Sequence, residues 1–219
     1  MGWTNPVPED LPAAFPVFPL TGALLLPRGK LPLNIFEPRY LAMTEDALAA
    51  GRMFGMIQPD SHLPPVPHGP ALFHVGCLGR ISSFSETEDG RFLITLTGVA
   101  RFAVREELPG QRGYRRVAGD FTPYLADLDP PPAEPAVERA ELLAAVRVFF
   151  RQQGIEVNWD AIEQIPDHML VVTLCMVCPL DPAEKQALLE ALTPGERAAD
   201  LLALLRMAVH RPSVPRHPS

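Results

Sequence analysis

Cysteine, lysine and aromatic residues are all scarce in this 219-residue sequence, and no apolar run reaches 18 residues. Three cysteines cannot build a disulfide framework, so a reducing, cytoplasmic setting is expected. Cys175 and Cys178 form a lone CxxC among Leu170, Leu174, Met176 and Val177, an apolar pattern of helical period. Without a second CxxC or a His pair they read as buried helix cysteines, with a redox pair as the alternative. No basic segment followed by an apolar core opens the chain, and no run is long enough to span a bilayer. Neither a signal peptide nor a membrane partner is expected.

Lysine is limited to Lys30 and Lys185, and the 19 basic residues are outnumbered by 26 acidic ones, a net charge of −7. Residues 1–130 hold 11 basic and 14 acidic residues, and residues 131–219 hold 8 and 12. A phosphate-binding surface draws on an excess of Lys and Arg, so nucleic acid is disfavoured as a partner. Arg112, Arg115 and Arg116 are the local exception. They would suit RNA if they faced one groove, and otherwise read as a solvated turn.

Catalytic signatures are also missing. Gly29-Lys30 lacks the glycine a P-loop needs at position 24 and the Ser or Thr at 31, both of which are Leu. Neither HExxH nor GxSxG occurs. His62, His68 and His74 lie six apart with no fourth ligand pattern, and His168 near a helix start reads as a surface or capping residue. Glu106-Glu107 looks solvated. No catalytic residue, cofactor or metal is nominated, and a binding module is favoured over an enzyme.

Proline is what the chain has in excess: 26 residues, against a typical usage of about 5%. Eight fall within the first 38 residues, which excludes interior helix there and favours short strands at Phe15–Leu20 and Lys30–Ile35. Pro38 suits the first position of a helix running to about Ala50, followed by a strand over Arg52–Gln58. Pro59 to Pro70 reads as a loop. Phe92, Ile94, Leu96, Ala100, Phe102 and Val104 then keep period two, with Gly98 as a bulge or bend. Asp89-Gly90 joins this strand to one over Phe73–Ser85 as a hairpin, and Tyr114–Leu125 supplies the last strand. A curled sheet or small barrel follows.

After Asp129-Pro130-Pro131-Pro132 the pattern turns helical. Val137, Leu142, Leu143, Val146, Phe149 and Phe150 make one stripe, and Asp181-Pro-Ala-Glu184 and Thr193-Pro-Gly-Glu196 are capping boxes. The expected organisation is α+β: a disordered 1–12, a β-rich part over 13–128, a helical bundle over 133–210 and a disordered tail over 211–219.

Six segments in order resemble one family. Phe15-Pro-Val-Phe-Pro-Leu20 with Leu26-Pro27, Leu33-Asn-Ile-Phe-Glu-Pro-Arg-Tyr40 and Phe54-Gly-Met-Ile-Gln-Pro59 come first. Val75-Gly-Cys-Leu-Gly-Arg-Ile81, Thr95-Leu-Thr-Gly-Val-Ala-Arg-Phe102 and Pro179–Leu189 with Glu196-Arg197 follow. Together they are similar to the Lon protease N-terminal domain. The resemblance implies a pseudo-barrel related to the PUA fold followed by a helical bundle, in a domain that helps select unfolded substrates. It also implies a bacterial protein standing free of the ATPase and protease domains. A non-catalytic module that binds unfolded or partner polypeptides, as a monomer or weak dimer and as an adaptor to proteolysis, is the expectation. RNA binding and a small-molecule or hydrolytic pocket are the alternatives. Phe36, Glu37, Arg39, Tyr40, Met53 and Phe54 are the candidate protein-binding residues, as a groove with an apolar floor and a cationic edge. The blander reading of the same stretch puts Phe36 in the core and pairs Glu37 with an arginine.

Overall fold

The computed structural model describes residues 6–130 and 137–210. They divide into two compact units, one of residues 6–130 with Val172–Glu190, the other of 137–171 with 191–210. The expected disordered tail over 211–219 and the first five residues of the expected disordered 1–12 lie outside the described residues. Residues 8–10 form a 3-10 turn, in which the Val7 amide donates to Asp10 Oδ2 (3.0 Å).

The first unit is built on six strands: β1 (Ala14–Pro19), β2 (Lys30–Ile35), β3 (Met53–Ile57), β4 (Val75–Glu86), β5 (Phe92–Gln111) and β6 (Tyr114–Asp120). Helix α1 (Pro38–Ala49) separates β2 from β3. β1 pairs with β3 in parallel and with β6 antiparallel, β4 joins β3 to β5, and β5 also pairs with β6. The ring β1-β3-β4-β5-β6 is therefore closed, and β2 extends it along the first part of β5. At 20 residues β5 serves both ends. Register shifts beside Val99 and Arg105 bend it, as closing a small barrel requires.

The period-two pattern explains this barrel. Phe102, Ala100, Leu78, Val17, Phe15 and Val117 are all buried in one cluster, with Phe15 and Phe102 edge-to-face at 4.8 Å. Gly76 makes room for them, since a Cβ there would come within 2.5 Å of the Phe102 ring. The polar interior is paired as closely. Arg101 donates from Nε and Nη2 to the two oxygens of Asp127, both at 2.9 Å, and from Nη1 to the Leu189 carbonyl (3.1 Å). Its guanidinium also stacks on Tyr124, 4.6 Å from the ring centre. Asp127 belongs to a 3-10 segment, Thr122–Leu128, where the expected last strand instead stops: Asp120 Oδ1 accepts from the Thr122 amide and Pro123 follows.

The later helices are α2 (Arg139–Gln153), α3 (Trp159–Glu163), α4 (Asp167–Val177), α5 (Pro182–Glu190) and α6 (Pro194–His210). In the barrel unit α5 is tied down by polar contacts. Lys185 Nζ donates to the Gly22 carbonyl (2.8 Å), Gln186 Nε2 to that of Val75 (3.1 Å), and Gln58 Nε2 to Gln186 Oε1 (3.2 Å). In the second unit α2 packs on α6 through buried Leu142, Val146, Leu201 and Leu205, and Arg206 pairs with Glu141 at 2.6 Å. Gly154 ends α2 in the left-handed region at φ 66°. The capping box at α6 is formed: Glu196 N donates to Thr193 Oγ1 (3.1 Å) and Thr193 N to Glu196 Oε2 (3.2 Å).

Candidate functional site

Of the six residues nominated from the sequence, the structure exposes the charged ones and buries two aromatics. Pro38 opens α1, and Glu37 just before it pairs with Arg39 at 2.8 Å. Arg39 also lies over the Tyr40 ring at 4.5 Å. Tyr40 itself is only 5% exposed and stacks on Phe18 at 4.1 Å. Phe54 is fully buried, on a strand covered on both faces. The expected groove is therefore not formed as drawn: Phe54 has no surface to offer and Tyr40 almost none. Phe36 departs from the blander reading as well, standing 64% exposed instead of in the core.

Met53 lies elsewhere, at the other end of α1. That helix stops because Gly51 takes φ 81° and the Arg52 amide folds back onto the Ala47 carbonyl (2.7 Å), the six-to-one bond of a Schellman turn. The turn sets Met53 at the start of β3, beside a cavity of about 410 Å³. Phe15, Ala47 and Met53 give it an apolar floor, and Pro12 and Pro16 line one side. Asp46, Gln111, Tyr114 and Arg116 provide the polar wall, with Asp10 also lining it. The volume falls within the roughly 300–1,000 Å³ of ordinary ligand pockets.

The polar wall is held in place by the β5–β6 hairpin. Its two-residue turn puts both Arg112 (φ 47°) and Gly113 (φ 87°) in the left-handed region, as a type I′ turn demands. Arg112 binds Glu45 (2.8 Å) and Asp46 (2.7 Å), which ties the turn to α1. Asp46 Oδ2 also accepts from Tyr114 Oη (2.7 Å) and Gln111 Nε2 (3.2 Å). The Tyr114 hydrogen bond, aided by Arg112, holds the Asp46 carboxyl below the usual carboxylate range. Burial, then the bond to Asp46, pushes the Tyr114 phenol up to about 12.

The three arginines set aside as a possible RNA contact therefore differ. Arg112 is held by two carboxylates on α1, and Arg115 is buried with Glu107 (2.6 Å) and the Pro70 carbonyl (2.7 Å). Arg116 is half-buried and has no ion pair or side-chain hydrogen bond among the described residues. No three His, Cys, Asp or Glu residues come together as a possible metal site among the described residues, so His62, His68 and His74 form no cluster. All three cysteines are buried and none forms a disulfide among the described residues, and burial pushes the Cys178 thiol up to about 12.

Residues 14–207 match the family described as the ATP-dependent protease La (LON) substrate-binding domain. The chain belongs to that family. Membership supports a role in substrate recognition. Among the relatives, the Lon protease of Roseiflexus castenholzii is 24% identical over 213 residues, which span 90% of this chain and 24% of that protein. The Lon protease of Anaeromyxobacter dehalogenans is 28% identical over 98 residues, 45% of this chain and 12% of that one. The matched regions thus span a quarter or less of these relatives. Two solved structures share the fold of this Lon-type domain. A Lon N-terminal domain protein from Xanthomonas campestris superposes with a TM-score of 0.56 at 23% identity, covering 87% of this chain and 97% of that one. The N-terminal domain of a Mycobacterium avium complex Lon protease gives 0.56 at 17% identity, with 88% and 98% covered. The α+β architecture of a Lon N-terminal domain is thereby shown. No helix among the described residues is long and apolar enough to cross a membrane.

Sequence reasoning missed most of the Met53 pocket. Only the Arg112-Gly113 turn left a signal, as a dipeptide ending in glycine between alternating strands. Asp46, Tyr114 and Arg116 meet Met53 only once the barrel has closed.

Proposed function

We propose that this Lon-type domain is a non-catalytic module that binds extended, partly apolar segments of unfolded or partner polypeptides in the Met53 pocket, with a role as an adaptor to proteolysis. One observation carries the reading: in a chain of a substrate-binding family, a cavity with an apolar floor is walled by fixed hydrogen-bonding groups. Exposed Phe36 and the Glu37–Arg39 pair are proposed as a second, weaker contact at the opposite end of α1. Nucleic acid is a poorer fit, since two of the three clustered arginines are already bound to carboxylates and the chain is acidic. Buried cysteines outside any disulfide suit a reducing cytoplasm. We take the binding unit to be a monomer or weak dimer.

The test is the affinity of the full chain for a permanently unfolded protein, prepared by reducing and alkylating a disulfide protein, with ATPase and peptidase activity assayed in parallel. Met53→Glu puts a charge on the apolar floor and is expected to weaken capture about tenfold, without turnover by either protein. Unchanged capture by Met53→Glu would remove the pocket from the account, and turnover by the wild type would remove the non-catalytic reading.

A further inference from the structure

Three charged side chains line the Met53 pocket, and their hydrogen bonding differs. Asp46 is occupied on both oxygens, Oδ1 by Arg112 and Oδ2 by Tyr114 and Gln111. Asp10 Oδ2 accepts the Val7 amide at an exposed rim. Arg116 is half-buried on β6, between its register partners Pro16 and Leu108, and makes no ion pair or side-chain hydrogen bond among the described residues. A guanidinium carries five donors in a rigid planar fork, and withdrawing it from water without a partner is unfavourable. The same barrel shows what such a fork takes when a partner is supplied. Arg101 and Arg115 each grip one carboxylate with two nitrogens, on Asp127 and Glu107.

From this we infer that Arg116 is a specificity-determining residue that receives a carboxylate of the bound polypeptide while the segment's apolar side chains rest on Phe15, Ala47 and Met53. The inference rests on the polypeptide-binding reading above and adds the chemistry that the site selects. The carboxylate has two possible sources, an Asp or Glu side chain within the segment or the free C-terminus of a chain. Both offer the planar pair of oxygens that a guanidinium binds bidentately. Asp46 does not compete for Arg116, since both its oxygens already accept from Arg112, Tyr114 and Gln111. It does disfavour a second carboxylate in the pocket, so one acidic group among apolar neighbours is the preferred pattern.

The experiment uses the full chain and three octapeptides of Ala, Leu and Val, each competing against the labelled, reduced and alkylated protein. The first carries a central Glu and an amidated end, the second Gln and an amidated end, the third Gln and a free C-terminus. We expect the first or the third to compete at least about tenfold better than the second, and the better of the two identifies the source. In Arg116→Gln all three should fall to the level of the second, and Arg116→Lys should recover part of the preference, because it keeps the charge and loses the fork. Equal competition by the three peptides, competition by none, or a preference that survives Arg116→Gln overturns the inference. If the unfolded protein is still captured in those cases, the polypeptide reading stands without it. If the unfolded protein is not captured at all, both fall. Displacement by an oligouridylate octamer, matching the best peptide and lost in Arg116→Gln, would overturn the inference in favour of phosphate recognition.

Discussion

Arg101 and Arg116 lie on the same barrel and differ in almost every respect that matters. Arg101 is 4% exposed, fully paired with a carboxylate 9% exposed, bonded to α5 and stacked on an aromatic ring. Arg116 is only half-buried and has no ion pair or side-chain hydrogen bond among the described residues, beside a cavity. The barrel interior is organised for stability, with the Arg101 charge satisfied from within. The Met53 pocket is held rigid by its neighbours and leaves one donor group for something else.

The comparison breaks most visibly at Asp127. Asp127→Ala leaves the Arg101 guanidinium buried without its carboxylate and is expected to cost about 3–5 kcal/mol, read as a large fall in the urea midpoint of unfolding. A midpoint within experimental error of the wild type would show that the interior pair is not structural. A smaller effect is expected at the pocket wall at high pH. Because the folded Tyr114 phenol titrates at about 12 and an ordinary tyrosine at about 10, its contribution is complete below about pH 10 and is lost as the pH rises toward 12. Tyr114→Phe should flatten this alkaline loss of stability. It should also let the Asp46 carboxyl rise toward its ordinary range, as followed by NMR titration, because the Tyr114 bond is the main cause of its depression. The smallest effect belongs to Arg116. Arg116→Gln removes no partner and should change stability by no more than about 0.5 kcal/mol while changing peptide preference. A loss near that of Asp127→Ala would place Arg116 with the structural arginines.

The fold was far more legible in the sequence than the site. Alternation from Phe92 to Val104, Asp89-Gly90 at the hairpin (Gly90 φ 77°) and the Thr193 capping box each appear where local chemistry puts them. Period two tells which face a residue occupies and not which strand it meets, so the parallel β1–β3 pairing and the β1–β6 closure had no local sign. For the same reason Tyr40 and Phe54 read as groove residues and Phe36 as a core candidate, and packing reverses both. The pocket joins residues 12, 53 and 116, from three segments that only barrel closure assembles. Arg116 could be told from Arg112 and Arg115 only when each partner was visible.

The central claim is that the Met53 pocket, and not another surface, receives polypeptide. Its most direct measurement is the map of backbone amide shifts in the full chain on titration with the reduced and alkylated protein. The largest changes are expected at Ala47, Gly51, Met53, Tyr114 and Arg116, with smaller ones at Phe36 and Arg39. Changes confined to α2 and α6, or none in the barrel at saturation, would contradict it.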